Sequence, residues 1–350
     1  MNLASVQKIV DIQPIEGADA IEKVQVLGWW VVTKKGEYKL GDLCSYIQID
    51  TIVPEREEYE FLRRVNFRVK TIRLRGQISQ GLIVPLPKGK WNEGDDLTEI
   101  LGVKKYSKIV ETEDKPEKAP KIWWKKWAWL FKTKVLYKYF PSLKPKPNKF
   151  PFPSNIVGKT DEERIQNITK VLTTHKGKKF ITSEKLDGSS ITIIHERGKF
   201  RVCSRNYEMN NIENEWSQVF INTNFGEHII KLVTHYNTDN IVVQGEYIGK
   251  PQGNPYGLKS NEIRLFNIYV NGKRLNQKEF FEVTKKFSIP VCPFMGEITL
   301  NHTLDELLKI AEGKSYLNDK TEREGLVFRC IEDNLSFKVI SNKFLLKKGE

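Results

Sequence analysis

Lys185-Leu186-Asp187-Gly188-Ser189-Ser190 sets a lysine two residues ahead of an acid and three ahead of a glycine. An amine that is to form a covalent bond must shed its proton near neutral pH, which calls for nearby positive charge or desolvation. A phosphate must also come close to the backbone, and glycine followed by two small hydroxyl residues leaves room for it. A charged turn joining two strands has the same spelling. On this stretch alone both readings stand, and the surrounding segments decide.

Phe180-Ile181-Thr182-Ser183-Glu184 reads as a strand ending on Lys185. Five further segments place polar residues at or beside strand ends. Ser204-Arg205-Asn206 closes the strand Phe200–Cys203, and Gln244-Gly245-Glu246-Tyr247 closes the apolar run Ile241-Val242-Val243. Arg264-Leu265-Phe266-Asn267-Ile268 lies within a strand, Glu324-Gly325-Leu326-Val327 opens one, and Ser336-Phe337-Lys338-Val339 occupies the last. From Thr160 onward the pattern is mixed α and β. Thr160-Asp161-Glu162-Glu163 spells a capping box, with Ile165, Ile168, Val171 and Leu172 following at helical spacing. Strands are predicted at 179–184, 190–195, 199–204, 241–247, 263–269, 325–330 and 335–340. Helices are predicted at 277–287 and after Thr303, where Glu306 completes a second capping box.

Upstream, residues 1 to about 105 carry short strands with turn punctuation, at 3–12, 22–27, 29–33, 43–49, 69–74 and 81–84. Gly28, Gly41 and Gly76 mark turns or bulges between them. Five or six short strands in about 100 residues predict a small closed barrel of the OB kind. Lys70, Arg73, Arg75 and Gln77 alternate along one strand and its exit, either as a solvated face or as a nucleic-acid contact. Residues 106–150 form a connector rich in lysine, aromatics and proline. Trp123, Trp124, Trp127 and Trp129 interleave there with Lys121, Lys125 and Lys126, which suits either packing between domains or stacking on bases.

The 350 residues suffice for two ordinary domains. A formal net charge of +13 points to a polyanionic partner, nucleic acid first, against the alternative of a basic but indifferent surface. Cys44, Cys203, Cys292 and Cys330 show no metal-binding spacing, so no zinc site or disulfide framework is predicted, and a reducing, cytoplasmic setting fits. No leader is apparent, and the most apolar stretch, 123–131, is short and broken by lysines, so no membrane span is predicted. The five histidines have no ligand spacing and read as structural or surface groups.

The six segments, in this order, resemble the nucleotidyltransferase motifs of ATP-dependent polynucleotide ligases and mRNA capping enzymes. The whole chain is more closely similar to the fifth RNA ligase family, of Deinococcus and Naegleria type. Leu3-Ala4-Ser5-Val6-Gln7-Lys8-Ile9, Pro14-Ile15-Glu16-Gly17-Ala18, the run from Phe150-Pro151 to Gln166-Asn167, and Ser336 through Asn342 carry that likeness. The resemblance implies a multi-domain, β-rich fold. An OB barrel (1–105) is followed, after the connector, by an α+β nucleotidyltransferase domain (151–350), ATP-grasp-like and built of antiparallel sheets. DNA ligases and capping enzymes place an OB domain after the last lysine motif, and only 339–350 follow it here.

The implied chemistry is attack of Lys185 on the α-phosphate of ATP. Lys338 would contact that phosphate and depress the pKa of Lys185 by like-charge proximity. Asp187, Glu246 and Glu324 would hold Mg2+ or Mn2+, mainly through water, because ATP carries a charge of about −4. Phe266 would stack on adenine or serve as a core aromatic, and Glu184 would line the adenine pocket, more through backbone than side chain. Arg205 would bind ribose or an RNA 5′-phosphate, with Asn206, Arg164 and Gln166 as further substrate contacts. The partner implied is RNA, as a nicked duplex with ribonucleotides on the 3′-OH side, bound by a monomer. One departure stands out. Several RNA ligases repeat the lysine two positions after Lys338, but this chain has Ile340. A GTP-dependent capping-type guanylyltransferase and a non-catalytic RNA-binding OB protein are the alternatives.

Overall fold

The computed structural model describes residues 2–106 and 149–348. The tryptophan- and lysine-rich connector, read either as interdomain packing or as a base-stacking segment, lies almost wholly outside the described residues.

The N-terminal strands are β1 (Ala4–Pro14), β2 (Ile21–Val26), β3 (Trp29–Lys34), β4 (Leu43–Ile47), β5 (Thr51–Ile52), β6 (Arg68–Val69), β7 (Thr71–Leu74), β8 (Gln77–Gln80), β9 (Leu82–Val84) and β10 (Lys104–Lys105). They pair in the orders β3-β2-β1-β4-β9 and β10-β5-β6, with β7-β8 as a hairpin. The long β1 changes partners along its length. Ala4–Lys8 pair with β4, Ile9–Pro14 pair with β2, and a register shift lies between Ile9 and Asp11. Such a bulge bends and twists a strand, which curls this sheet toward a nearly closed barrel. The short helix α1 (Thr98–Leu101) packs Leu101 against Ala4, Val6 and Ile47 at one end.

Past the connector come β11 (Lys149–Pro151), β12 (Glu163–Arg164), α2 (Val171–Thr174), β13 (Lys179–Lys185), β14 (Ser189–Glu196), β15 (Lys199–Cys203) and β16 (Tyr207–Met209). Then follow α3 (Glu215–Asn222), α4 (Phe225–Tyr236), β17 (Ile241–Ile248), β18 (Glu262–Val270), β19 (Lys273–Arg274) and α5 (Gln277–Lys286). The last elements are β20 (Phe294–Thr299), α6 (Leu304–Ala311), β21 (Gly325–Cys330), β22 (Ser336–Ile340) and α7 (Asn342–Lys348).

Two sheets result, one of order β11-β16-β15-β14-β17-β18-β19 and one of order β12-β22-β21-β13-β20. Apart from the parallel β12–β22 pair, their neighbours run antiparallel. The larger sheet packs Ile191, Ile193, Val243 and Ile268 under Phe225, Ile229 and Leu232 of α4 and Phe280 and Val283 of α5. The smaller packs Phe180, Phe328 and Phe337 with Leu307 of α6.

The predicted helix after Thr160 does not form. Glu163–Arg164 instead run parallel to Phe337–Lys338, and a 3-10 turn spans Ile165–Asn167. Pairing with β22 and burial of Ile165 override the local helical spelling. The spacing of the later apolar residues survives only as the single turn of α2. The second capping box is present: the Thr303 side chain accepts the Glu306 N–H, and the Glu306 carboxylate accepts the Thr303 N–H. Helices α3 and α4 and strand β20 were not anticipated. Asn214, whose side chain accepts the Ser217 N–H at 2.9 Å, is the capping signal that marks α3.

Candidate active site at the junction of the two sheets

Lys185 ends β13 in one sheet and Ser189 begins β14 in the other. The turn between them therefore crosses from sheet to sheet. Pairing then fixes the neighbours: Lys185 lies opposite Gly325, next to Glu324, and Ser190 lies opposite Glu246. A cleft of about 530 Å³ opens there, lined among others by Glu184, Lys185, Asp187, Glu246, Phe266 and Lys338. That volume is in the range of small-molecule sites.

Gly188 is demanded by close approach. A Cβ on it would lie 2.6 Å from both Glu246 Cγ and the Tyr247 carbonyl oxygen. The glycine expected to admit a phosphate thus also admits β17. The Asp187 N–H donates to Tyr256 Oη at 2.6 Å, fixing the turn.

Lys185 Nζ donates to Glu324 Oε1 at 2.6 Å. Burial acts to lower the lysine's pKa, but the negative charges of Glu324 and Glu246 outweigh it and hold the amine above its ordinary value. In the nucleotide-free cleft these acids outweigh the like-charge effect expected of Lys338. Glu246 is pushed up to about 8, by burial first and then by Glu324 and Asp187, with Lys185 pulling the other way. Burial likewise raises Glu324, against the pull of Lys185.

Lys338 Nζ donates to Asp161 Oδ1 at 2.8 Å, and Arg205 donates to Asp161 Oδ2 at 2.6 Å. Lys105 of β10 stands 3.7 Å from the same carboxylate. Burial opposes charge on Asp161, yet Lys338, Arg205 and Lys105 together hold its carboxyl well below the usual range. Sequence reasoning missed Asp161 because it stood inside an apparent capping box. Lys338 itself is lowered by burial and by Lys185, with Asp161 acting in the opposite sense.

Glu184 is buried. One of its oxygens accepts the Tyr316 N–H at 2.8 Å, and burial raises its pKa while Ser315 and that N–H lower it. Phe266 lies half-buried beside Leu186, Tyr256 and Cys292, with the Arg329 guanidinium 5.8 Å from its ring centre. Asn206 lines the cleft and accepts from Lys159 Nζ at 3.1 Å. Arg164 and Gln166 do not line it; they sit at the seam with the barrel. Arg164 reaches Asp50 at 3.4 Å, Gln166 is fully buried, and its carbonyl accepts the Gly28 N–H at 2.8 Å. Trp29 Nε1 donates to Asn167 at 2.6 Å across the same seam.

Fourteen of the cleft's lining residues carry no charge. The rest are six acids (Asp161, Glu162, Glu184, Asp187, Glu246 and Glu324) and four bases (Lys185, Arg205, Arg329 and Lys338). A cleft with this acid surplus suits a divalent cation. Among the described residues no three His, Cys, Asp or Glu groups converge tightly enough to ligate one directly, so water would have to complete the shell. Nor is any helix among them long and apolar enough to cross a membrane.

A part-buried lysine at the junction of two sheets, ringed by acids and preceded by an OB barrel, is the arrangement of a covalent nucleotidyltransferase. An OB-fold domain family matches residues 3–86 and the RNA ligase family matches residues 178–344. No curated protein sequence matches the chain. The solved structure of Naegleria gruberi RNA ligase with PPi is 33% identical, covers 99% of this chain and 98% of its own, and superposes with a TM-score of 0.81. A variant of that ligase with ATP and Mn is 32% identical over 98% of each chain, with a TM-score of 0.79. Another variant, with AMP and Mn, is 33% identical over 99% and 98%, with a TM-score of 0.80. The chain belongs to the RNA ligase family and shares its architecture with the Naegleria enzyme.

Proposed function

We propose that the chain is an ATP-dependent RNA ligase in which Lys185 carries AMP from ATP to an RNA end. The observation that carries this reading is the position of the Lys185 amine, inside the cleft and 2.6 Å from Glu324. In the first step the deprotonated amine attacks the α-phosphorus, forming an N–P bond. The bond to the bridging oxygen breaks and pyrophosphate leaves. Lys338 stabilises the charge gathering on the phosphoryl oxygens. A divalent cation, Mg2+ or Mn2+, supplies further positive charge when bound; Asp187, Glu246 and Glu324 would hold it through water. Glu184 and Phe266 line the adenine pocket, Glu184 more through its backbone than its side chain and Phe266 as a stacking face.

In the second step an RNA 5′-phosphate takes AMP from Lys185, with Arg205 and Asn206 as its contacts. In the third the 3′-OH attacks that activated phosphate and AMP departs. Arg164 and Gln166 act from the seam by holding the barrel beside β22. Arg73 and Arg75, exposed on the β7–β8 hairpin, offer the barrel a basic face for the duplex. The substrate is a nicked duplex with ribonucleotides on the 3′-OH side, and the protein acts as a monomer inside the cell.

Labelling with α-phosphate-labelled ATP or GTP tests the reading. The protein should label with ATP, and Lys185→Ala should not label at all. Stronger labelling by GTP would favour a capping-type guanylyltransferase, and labelling that persists without Lys185 would remove the nucleophile.

A further inference from the structure

Resting on that reading, we propose that Lys348, on the C-terminal helix, binds the outer phosphates of ATP and the departing pyrophosphate. Lys348 Nζ donates to Asp187 Oδ2, and Asp187 lines the cleft. Helix α7 sets it there firmly. Phe344 and Leu345 are buried in the barrel core with Trp29, Val31 and Tyr46, and the Lys348 ammonium lies 5.3 Å from the centre of the Phe344 ring.

The need for such a group follows from charge and from strand geometry. Lys185 and Lys338 are each engaged by an acid, Glu324 and Asp161. On the proposed reading both serve the α-phosphate, leaving two more phosphates to be met. The residue two positions after Lys338 cannot help: Ile340 is buried in the barrel core. Lys343 points to Glu312, at 2.9 Å. Lys348 is the α7 lysine paired to a cleft carboxylate.

In-line attack places the leaving oxygen opposite the incoming amine. Pyrophosphate therefore departs on the side of the phosphorus away from Lys185. Asp187, in the cleft lining, holds Lys348 within reach of the nucleotide site. Phosphate oxygens, or a cation drawing on the Asp187 carboxylate, would free the ammonium to pair with the nucleotide. A lysine is suited to this exchange because its compact charge moves on a flexible stem.

The test uses the Lys185→Met protein, which cannot form the adduct, titrated calorimetrically with ATP and with AMP in the presence of Mn2+. Adding Lys348→Ala should weaken ATP binding about tenfold while changing AMP affinity less than about twofold, and Lys348→Arg should restore most of the loss. Equal weakening of both nucleotides, or none, would overturn the assignment while leaving the ligase reading intact. A Lys185→Met protein with Lys348 in place that binds neither nucleotide would instead sink the ligase reading itself.

Discussion

Asp161 Oδ1 accepts a hydrogen bond from Lys338 Nζ at 2.8 Å, joining the segment before β12 to the lysine of the last strand. Burial works against the charge of Lys338, and Asp161 works for it. Removing the carboxylate therefore lowers the lysine's pKa further, and more of it is neutral at a given pH. Asp161→Asn should slow lysyl-AMP formation about tenfold at neutral pH, with the deficit growing as pH rises. Rate profiles of wild type and variant that stay parallel across pH would contradict this.

Metal binding should depend on pH through Glu246. Its carboxyl titrates at about 8 in the folded, nucleotide-free protein. The native state thus keeps a proton that the unfolded chain loses at ordinary carboxylate pH. Stability contributed by this group is full below that range and is lost as pH climbs toward 8. A divalent cation takes the place of the proton, so Mn2+ should raise the unfolding temperature more at about pH 8.5 than at about pH 6.5. Glu246→Gln should flatten the difference. An equal metal-induced shift at both pH values in the wild-type protein would count against the assignment.

Gly188→Ala should damage chemistry more than folding. The new methyl would meet a backbone oxygen of Tyr247, which cannot retreat, and Glu246 Cγ, which can. Overpacking of this kind costs about 1–3 kcal/mol. The displaced Glu246 should reduce adenylylation at least about tenfold at temperatures where circular dichroism still shows a folded protein. Wild-type rates in a fully folded variant would show that Glu246 need not stand where it does.

At the seam, Gly28→Ala should loosen the barrel from the catalytic domain. Its Cβ would lie 2.8 Å from Gln166 Cα and from Leu304 Cδ2. Denaturant unfolding should show a loss of about 1–3 kcal/mol, with earlier proteolysis at the seam. Wild-type stability would mean that the seam yields more easily than its packing implies.

The strands around Lys185 were legible because alternation and polar strand ends are local signals. The antiparallel pairings then brought Glu246 and Glu324 to Lys185 from positions far along the chain, and only the order of motifs hinted at that. The segment 160–167 misled for the opposite reason. Its spelling favours a helix, while the outcome was set by β22 more than 170 residues later. Asp161, Lys348 and the seam role of Arg164 were invisible, since each depends on a partner from another element. The departure at Ile340 was visible as a gap, but what lies near it was not.

Ile340, Phe344 and Leu345 complete a core otherwise built from residues 9–83. A ribosome making this protein delivers the barrel's strands first and the residues that seal them some three hundred positions later. Until then the barrel exposes an unfilled apolar face, held by a chain still being synthesised. Cutting the protein between its two domains would leave that same face open, so separated halves should associate with each other or aggregate. Of the two domains, the earlier to be made is the later to close.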